Sequence, residues 1–170
     1  MDKSALYKIG YGMYIVGAHK GEKLNAQVAN TVFQITSEPP TIAVSINKEN
    51  LTHEYIEASK AFSAAVLCEA TPLSFIGGFG FKSGRDVNKL ENVNYKIGVT
   101  GSPIVLDHAT AYLEAEVINS LDVGTHTIYI GKIVDAGVLT KDTCMTYEYY
   151  HQVKRGTTPK TAPSYIAKES

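Results

Sequence analysis

A mainly β fold, a barrel or sandwich of six strands with short helical insertions, is predicted by three observations. Runs rich in β-branched and aromatic residues recur between turn signals at 11–16, 28–36, 41–46, 61–68, 110–118 and 125–134. Within 110–118 the alternation is clean: Ala111, Leu113, Ala115 and Val117 share one face, and Tyr112, Glu114 and Glu116 the other. That pattern predicts a strand with one wet face. Helical signals, finally, are confined to short stretches.

The first helix follows 41–46, where Asn50 can cap LTHEYIEASK and Leu51, Tyr55 and Ala58 share a side. The second follows 61–68, with Thr71 starting PLSFIGGF and Pro72 in its first turn. After Met145 a short helix is expected, then an extended arm, because Pro159 and Pro163 carry no backbone donor and exclude a central strand. Residues 1–150 thus form the β-domain, and 151–170 an arm that packs on it or on a partner subunit.

The chain has 170 residues, 44% of them hydrophobic, and a net charge of -1, enough for one core. Nucleic acid is not an expected partner, because phosphate-backbone affinity needs clustered Lys and Arg. No apolar run approaches the roughly 20 residues that cross a bilayer, and no leader pattern opens the chain. No membrane association is expected, and the localisation expected is cytoplasmic. Two cysteines, Cys68 and Cys144, give neither a CxxC motif nor a disulfide framework, and Cys68 in FSAAVLC reads as a buried thiol. His19, His53, His108 and His151 show no ligand spacing, so no metal site is expected.

Four stretches carry candidate chemistry. FIGGFGFKSGRDVNKL, at 75–90, is neither a phosphate-binding Lys-Ser/Thr loop nor GxGxxG. Its Gly77, Gly78, Gly80 and Gly84 let backbone approach a ligand, Phe79 and Phe81 offer flat apolar surface, and Lys82, Arg85 and Lys89 offer charge. A ligand both aromatic and anionic suits it, as does a mobile surface loop with a helix beginning near Asp86. In SINKENLT, at 45–52, Ser45 and Asn47 share a side, Lys48 is positive, and the Leu51 and Thr52 amides open a helix where its dipole favours an anion. A polar turn with an ordinary cap reads the same. In QVANTVFQIT, Gln27, Asn30, Thr31 and Gln34 set donors and acceptors in an apolar strand, as a flat heterocycle or a satisfied barrel interior requires. In DVGTHTIYIGKIVDA, His126 shares a face with Ile128 and Ile130, a pattern of core histidines as well as functional ones.

These stretches, with YGMYIVGA at Tyr11 and the tail YYHQVKRGTTPKTAPSY at Tyr149, cover nearly the whole chain in order. Together they resemble the flavin reductase-like, FMN-binding split-barrel family, with the greatest likeness to archaeal-type ferric reductases and the flavoprotein half of high-molecular-weight rubredoxins. The resemblance implies a six-stranded Greek-key split barrel that dimerises and carries FMN. Gln27, Ala29, Asn30 and Thr31 would lie along the isoalloxazine, and Ser45, Asn47, Lys48 and Thr52 would hold the phosphate. Phe81, Lys82 and Lys89 would close the ribityl and phosphate side, and His126 would face the nicotinamide side as the catalytic candidate.

The activity implied is an NAD(P)H-dependent flavin reductase. With no dinucleotide fingerprint, NADH or NADPH would dock directly on the flavin, and donor and acceptor would take turns. The four cysteines of a rubredoxin domain are missing from these residues, so electrons would leave to a ferric chelate, free flavin, a rubredoxin or another small redox protein. The alternative is a flavoredoxin-like electron-transfer protein, reduced by a protein partner without NAD(P)H turnover.

Overall fold

A computed structural model describes residues 1–167. After a 3-10 turn at Lys3–Lys8 the elements run β1 Tyr14–Lys20, β2 Lys23–Ala29, β3 Val32–Ser37, β4 Pro40–Asn47, α1 Leu51–Ser59, β5 Ala61–Leu67 and α2 Leu73–Gly80. There follow β6 Tyr95–Ile97, β7 Pro103–Val105, β8 Ala109–Asp122, β9 His126–Val138 and α3 Tyr147–Gln152. The fold is mainly β, but the strand count differs from the six expected. Among the described residues, seven strands form one antiparallel sheet in the order β2-β1-β5-β8-β9-β4-β3, and β6 pairs with β7 separately.

The extra strand comes from 28–36, which is not continuous. Asn30 and Thr31 interrupt it, so that β2 pairs with β1 at one edge of the sheet and β3 pairs with β4 at the other. Two edges joined by so short a link must lie close together, because an extended residue spans at most about 3.6 Å. The sheet therefore curls into a barrel, and it is split where Asn30 and Thr31 cross.

Val16, Val44, Ile46, Phe62 and Tyr129 fill the barrel. A second cluster, with Met13, Ile15, Leu67, Ile76, Phe79, Met145 and Tyr150, packs α2 and α3 on the outer side of β1 and β5. Phe62 is fully buried, and truncating it to Ala costs about 3–5 kcal/mol.

Helix starts depart slightly from expectation. Asn50 has N-cap geometry before α1 but makes no side-chain cap bond, leaving the first-turn amides without one. Pro72 rather than Thr71 takes the N-cap position of α2, because the Thr71 hydroxyl donates to the Cys68 carbonyl at 2.6 Å. No helix begins near Asp86; turns occupy that stretch.

The wet face expected of β8 holds at Glu116, which is exposed, and is overturned at the other two positions. Tyr112 and Glu114 are buried, Glu114 completely. Its carboxylate accepts from the Val99 and Thr100 amides at 2.9 and 2.7 Å and from the Thr100 hydroxyl at 2.5 Å. The turn between β6 and β7 thus caps a face that alternation alone reads as solvated.

Candidate functional site

At the split of the barrel lies a cleft of about 300 Å³, walled by parts distant in sequence. β2 contributes Gln27 and Ala29, and Asn30 follows; β4 contributes Ser45 and Asn47; the start of α1 contributes Leu51 and Thr52. The far wall is α2 with the loop after it, including Phe79, Gly80, Phe81, Lys82, Gly84 and Lys89. Tyr147 and Tyr150 of α3, and the arm from Thr157 to Pro163, close the remainder.

Gln27 is the telling residue. It is 9% exposed, and its Oε1 is buried without a hydrogen-bond partner among the described residues. Such an oxygen costs roughly 1–3 kcal/mol unless a donor meets it. Lys89 is the second case. Its ammonium donates to the Phe79 carbonyl at 2.9 Å, and burial pushes its pKa down to about 8. A cation held in this way is suited to an anion.

Glycines let the far wall approach β2. A Cβ at Gly80 would sit 2.8 Å from a Val28 methyl, and one at Gly84 would collide with the Asn25 side chain. Asn25 in turn donates to the Thr52 hydroxyl at 2.9 Å, fixing the first turn of α1 against β2. The uncapped amides of that turn add the positive end of a helix dipole to the same wall.

The arm is bonded to the barrel. Asn30 donates to the Ser164 hydroxyl at 2.5 Å, Ser164 to the Tyr147 hydroxyl at 3.0 Å, and Tyr150 to the Thr157 carbonyl at 2.8 Å. Burial raises the pKa of Tyr150, keeping it the donor its partner needs.

Of the residues singled out by sequence, Gln27, Ala29, Asn30, Ser45, Asn47, Thr52, Phe81, Lys82 and Lys89 line this cleft. Three do not. Thr31 turns its hydroxyl to Asn30 at 3.0 Å, and Lys48 holds Asp122 at 2.5 Å. His126 borders an adjoining hollow, which shares Ser45, Asn47, Ala162 and Pro163 with the cleft. Asn25, Tyr147 and Tyr150 escaped sequence reasoning; the aromatic cluster TYEYY was the one signal for the tyrosines. Among the described residues no cluster of metal-ligating side chains occurs, and no helix is long and apolar enough to cross a membrane.

The chain belongs to the flavin reductase-like family: residues 6–158 match the flavin reductase like domain. It is thus an oxidoreductase of a flavoprotein family. It is 59% identical, over 97% of its length and 72% of the relative's, to a high molecular weight rubredoxin of Moorella thermoacetica. It is 49% identical, over 98% of both chains, to a ferric-chelate reductase (NAD(P)H) of Archaeoglobus fulgidus. An FMN-binding protein from Thermus thermophilus superposes with a TM-score of 0.71 at 26% identity, over 78% of this chain and 74% of the other.

Proposed function

We propose that the cleft binds FMN and that the protein passes reducing equivalents from NADH or NADPH to a separate acceptor: a ferric chelate, free flavin or a rubredoxin. The observation that carries this reading is the buried Oε1 of Gln27, without a partner among the described residues, which calls for a ligand with an N–H on a flat polar edge. The other features agree with it. The α1 amides and Lys89 suit a phosphate, and the closeness allowed by Gly80 and Gly84 suits a thin ring against β2.

Bound FMN would supply the chemistry of accepting a hydride and releasing electrons. The chain's residues bind and orient. Gln27, Ala29 and Asn30 edge the ring, with Thr31 bonded behind Asn30; Ser45, Asn47, Thr52 and Lys89 hold the phosphate end, with Phe81 and Lys82 closing over it. Lys48 joins them only by leaving Asp122. Hydride transfer needs a donor within about 3–3.5 Å, so positioning dominates. His126, beside the arm, orients the donor or delivers a proton rather than acting as an essential base.

The reading as an electron-transfer flavoprotein, reduced by a protein partner, has one observation in its favour. The arm ties His126 through the Thr161 carbonyl and so narrows the approach for a dinucleotide. A homodimer is part of the proposal, supported by the apolar outer face on which Phe33 and Leu121 are 54% and 57% exposed. Anaerobic stopped-flow absorbance of the FMN-loaded protein tests the main reading. Bleaching within seconds on mixing with NADH or NADPH is expected; a flavin that binds and stays oxidised selects the electron-transfer reading.

A further inference from the structure

The two cysteines, far apart in sequence, are direct partners in the fold. Cys68, just past β5, and Cys144, just before α3, face each other across an isolated antiparallel bridge. The bonds flanking them run from the Glu69 amide to the Thr143 carbonyl at 2.9 Å and from the Met145 amide to the Leu67 carbonyl at 2.8 Å. Cys68 and Cys144 are therefore a non-hydrogen-bonded pair, whose side chains project to the same side. The Cα atoms of such a pair lie about 4.5 Å apart. That is within the window of roughly 4.4–6.8 Å spanned by disulfides.

Both cysteines are free thiols, Cys68 buried and Cys144 exposed. The Cys68 sulfur lies 3.7 Å from the Thr71 hydroxyl and the Cys144 sulfur 3.4 Å from the Thr110 hydroxyl. These are weak contacts, which rotation about χ1 can exchange for a sulfur–sulfur bond. The chain leaving Cys68 becomes α2 and the 81–89 loop; the chain leaving Cys144 becomes α3 and the arm. Both segments line the cleft.

We propose that Cys68 and Cys144 form a reversible redox pair that closes to an intramolecular disulfide by exchange with a low-molecular-weight disulfide. The Cys144 thiolate attacks the small disulfide, whose sulfur–sulfur bond breaks as one thiolate leaves and takes up a proton. The Cys68 thiolate then attacks the Cys144 sulfur and expels the second small thiolate. Two protein thiols are oxidised, one small disulfide is reduced to two thiols, and the two protons given up by the cysteines go to those thiols. The bridge staples the roots of these two segments; its formation does not depend on the flavin reading.

The test treats the reduced, full-length protein with oxidised glutathione, quenches in acid, and reads intact mass and a non-reducing peptide map. The expected product has lost two hydrogens, keeps no glutathione, links the peptides of Cys68 and Cys144, and reverts with dithiothreitol. Its Tm rises by on the order of 5 °C, as closure of a long loop requires. Cys144→Ser, at an exposed position that leaves the fold intact, shows neither change. The proposal is overturned by a stable glutathione adduct on Cys144 beside a free Cys68, or by a link between two chains. It is equally overturned by two thiols that stay unmodified when the urea-unfolded chain reacts, or by a bridge that leaves Tm where it was.

Discussion

Nε2 of His126 lies 3.1 Å from the carbonyl oxygen of Thr161, so the imidazole on β9 is tied to the arm. A carbonyl only accepts, so Nε2 carries the proton and Nδ1, 2.8 Å from the Thr125 hydroxyl, is left to accept when the ring is neutral. His126→Ala removes the one imidazole hydrogen bond that reaches the arm, worth about 1 kcal/mol, and raises the open population of the arm about fivefold. Tryptic cleavage after Lys160 should accelerate by that factor. His126→Gln, which keeps a donor near the same place, should cleave at the rate of the unaltered protein; equal rates for all three proteins would show that the contact does not restrain the arm.

Gln27→Leu should move two observables in opposite directions. The unmet Oε1 destabilises the flavin-free protein, so removing it in a side chain of similar size raises the Tm of that form. The same change deletes an acceptor for the ring and weakens FMN binding by about 1 kcal/mol, roughly fivefold. Differential scanning fluorimetry without flavin and a fluorescence titration with FMN read the two effects. A fall in both would make Gln27 a packing residue.

The strands were legible in the sequence because runs of β-branched and aromatic residues between turn signals mark them, as in 110–118 and 125–134. The split at Asn30 and Thr31 was not, since two polar residues in an apolar run look like an interior polar pair until the pairing partners of each half are known. Nor was the burial of Glu114, because residue type records the charge and not the turn that folds over it. At the site, Gly80, Gly84, Lys89, Gln27 and the SINKENLT turn were each legible as ligand-like, whereas their convergence depends on tertiary contacts such as Asn25 to Thr52. Lys48 shows the limit: a lysine beside a helix start reads as an anion ligand, and here its partner is Asp122 from the β8–β9 hairpin.

Lys89 should give the flavin-free protein an unusual alkaline profile. Burial lowers its folded pKa to about 8, below the unfolded value near 10.4. Between these values the unfolded chain binds more protons, so folding stability rises with pH through that window. The cost relieved is on the order of 3 kcal/mol. Urea denaturation from pH 7.5 to 10.5 should show that rise, and Lys89→Met should flatten it. The same variant should weaken FMN by about 1.5–3 kcal/mol and leave riboflavin, which has no phosphate, almost unchanged.

Lys48→Ala should matter far less. Its ammonium is already 2.5 Å from the Asp122 carboxylate in an exposed pair, so serving a phosphate means exchanging one partner for another. Exposed pairs of this kind are worth about 0–1 kcal/mol, and the loss in FMN affinity should stay below that. Asp122→Asn frees the lysine and should tighten FMN slightly. A large loss in Lys48→Ala would mean that the side chain turns into the cleft when ligand arrives.

Glu114→Gln separates stability from binding. The carboxylate meets three donors, from the Val99 and Thr100 amides and the Thr100 hydroxyl, and both of its oxygens are engaged. An amide has one accepting oxygen, so its NH2 group must face one of those donors with no room to turn away, since Glu114 is fully buried. Replacing a charge-assisted bond by a donor–donor clash should cost about 2–4 kcal/mol, read as a lower urea midpoint at unchanged slope. No residue of 95–105 lines the cleft, so FMN affinity measured well below that midpoint should stay the same. A matching loss of affinity would mean that the β6–β7 turn and the cleft are coupled through β1, against which β7 packs.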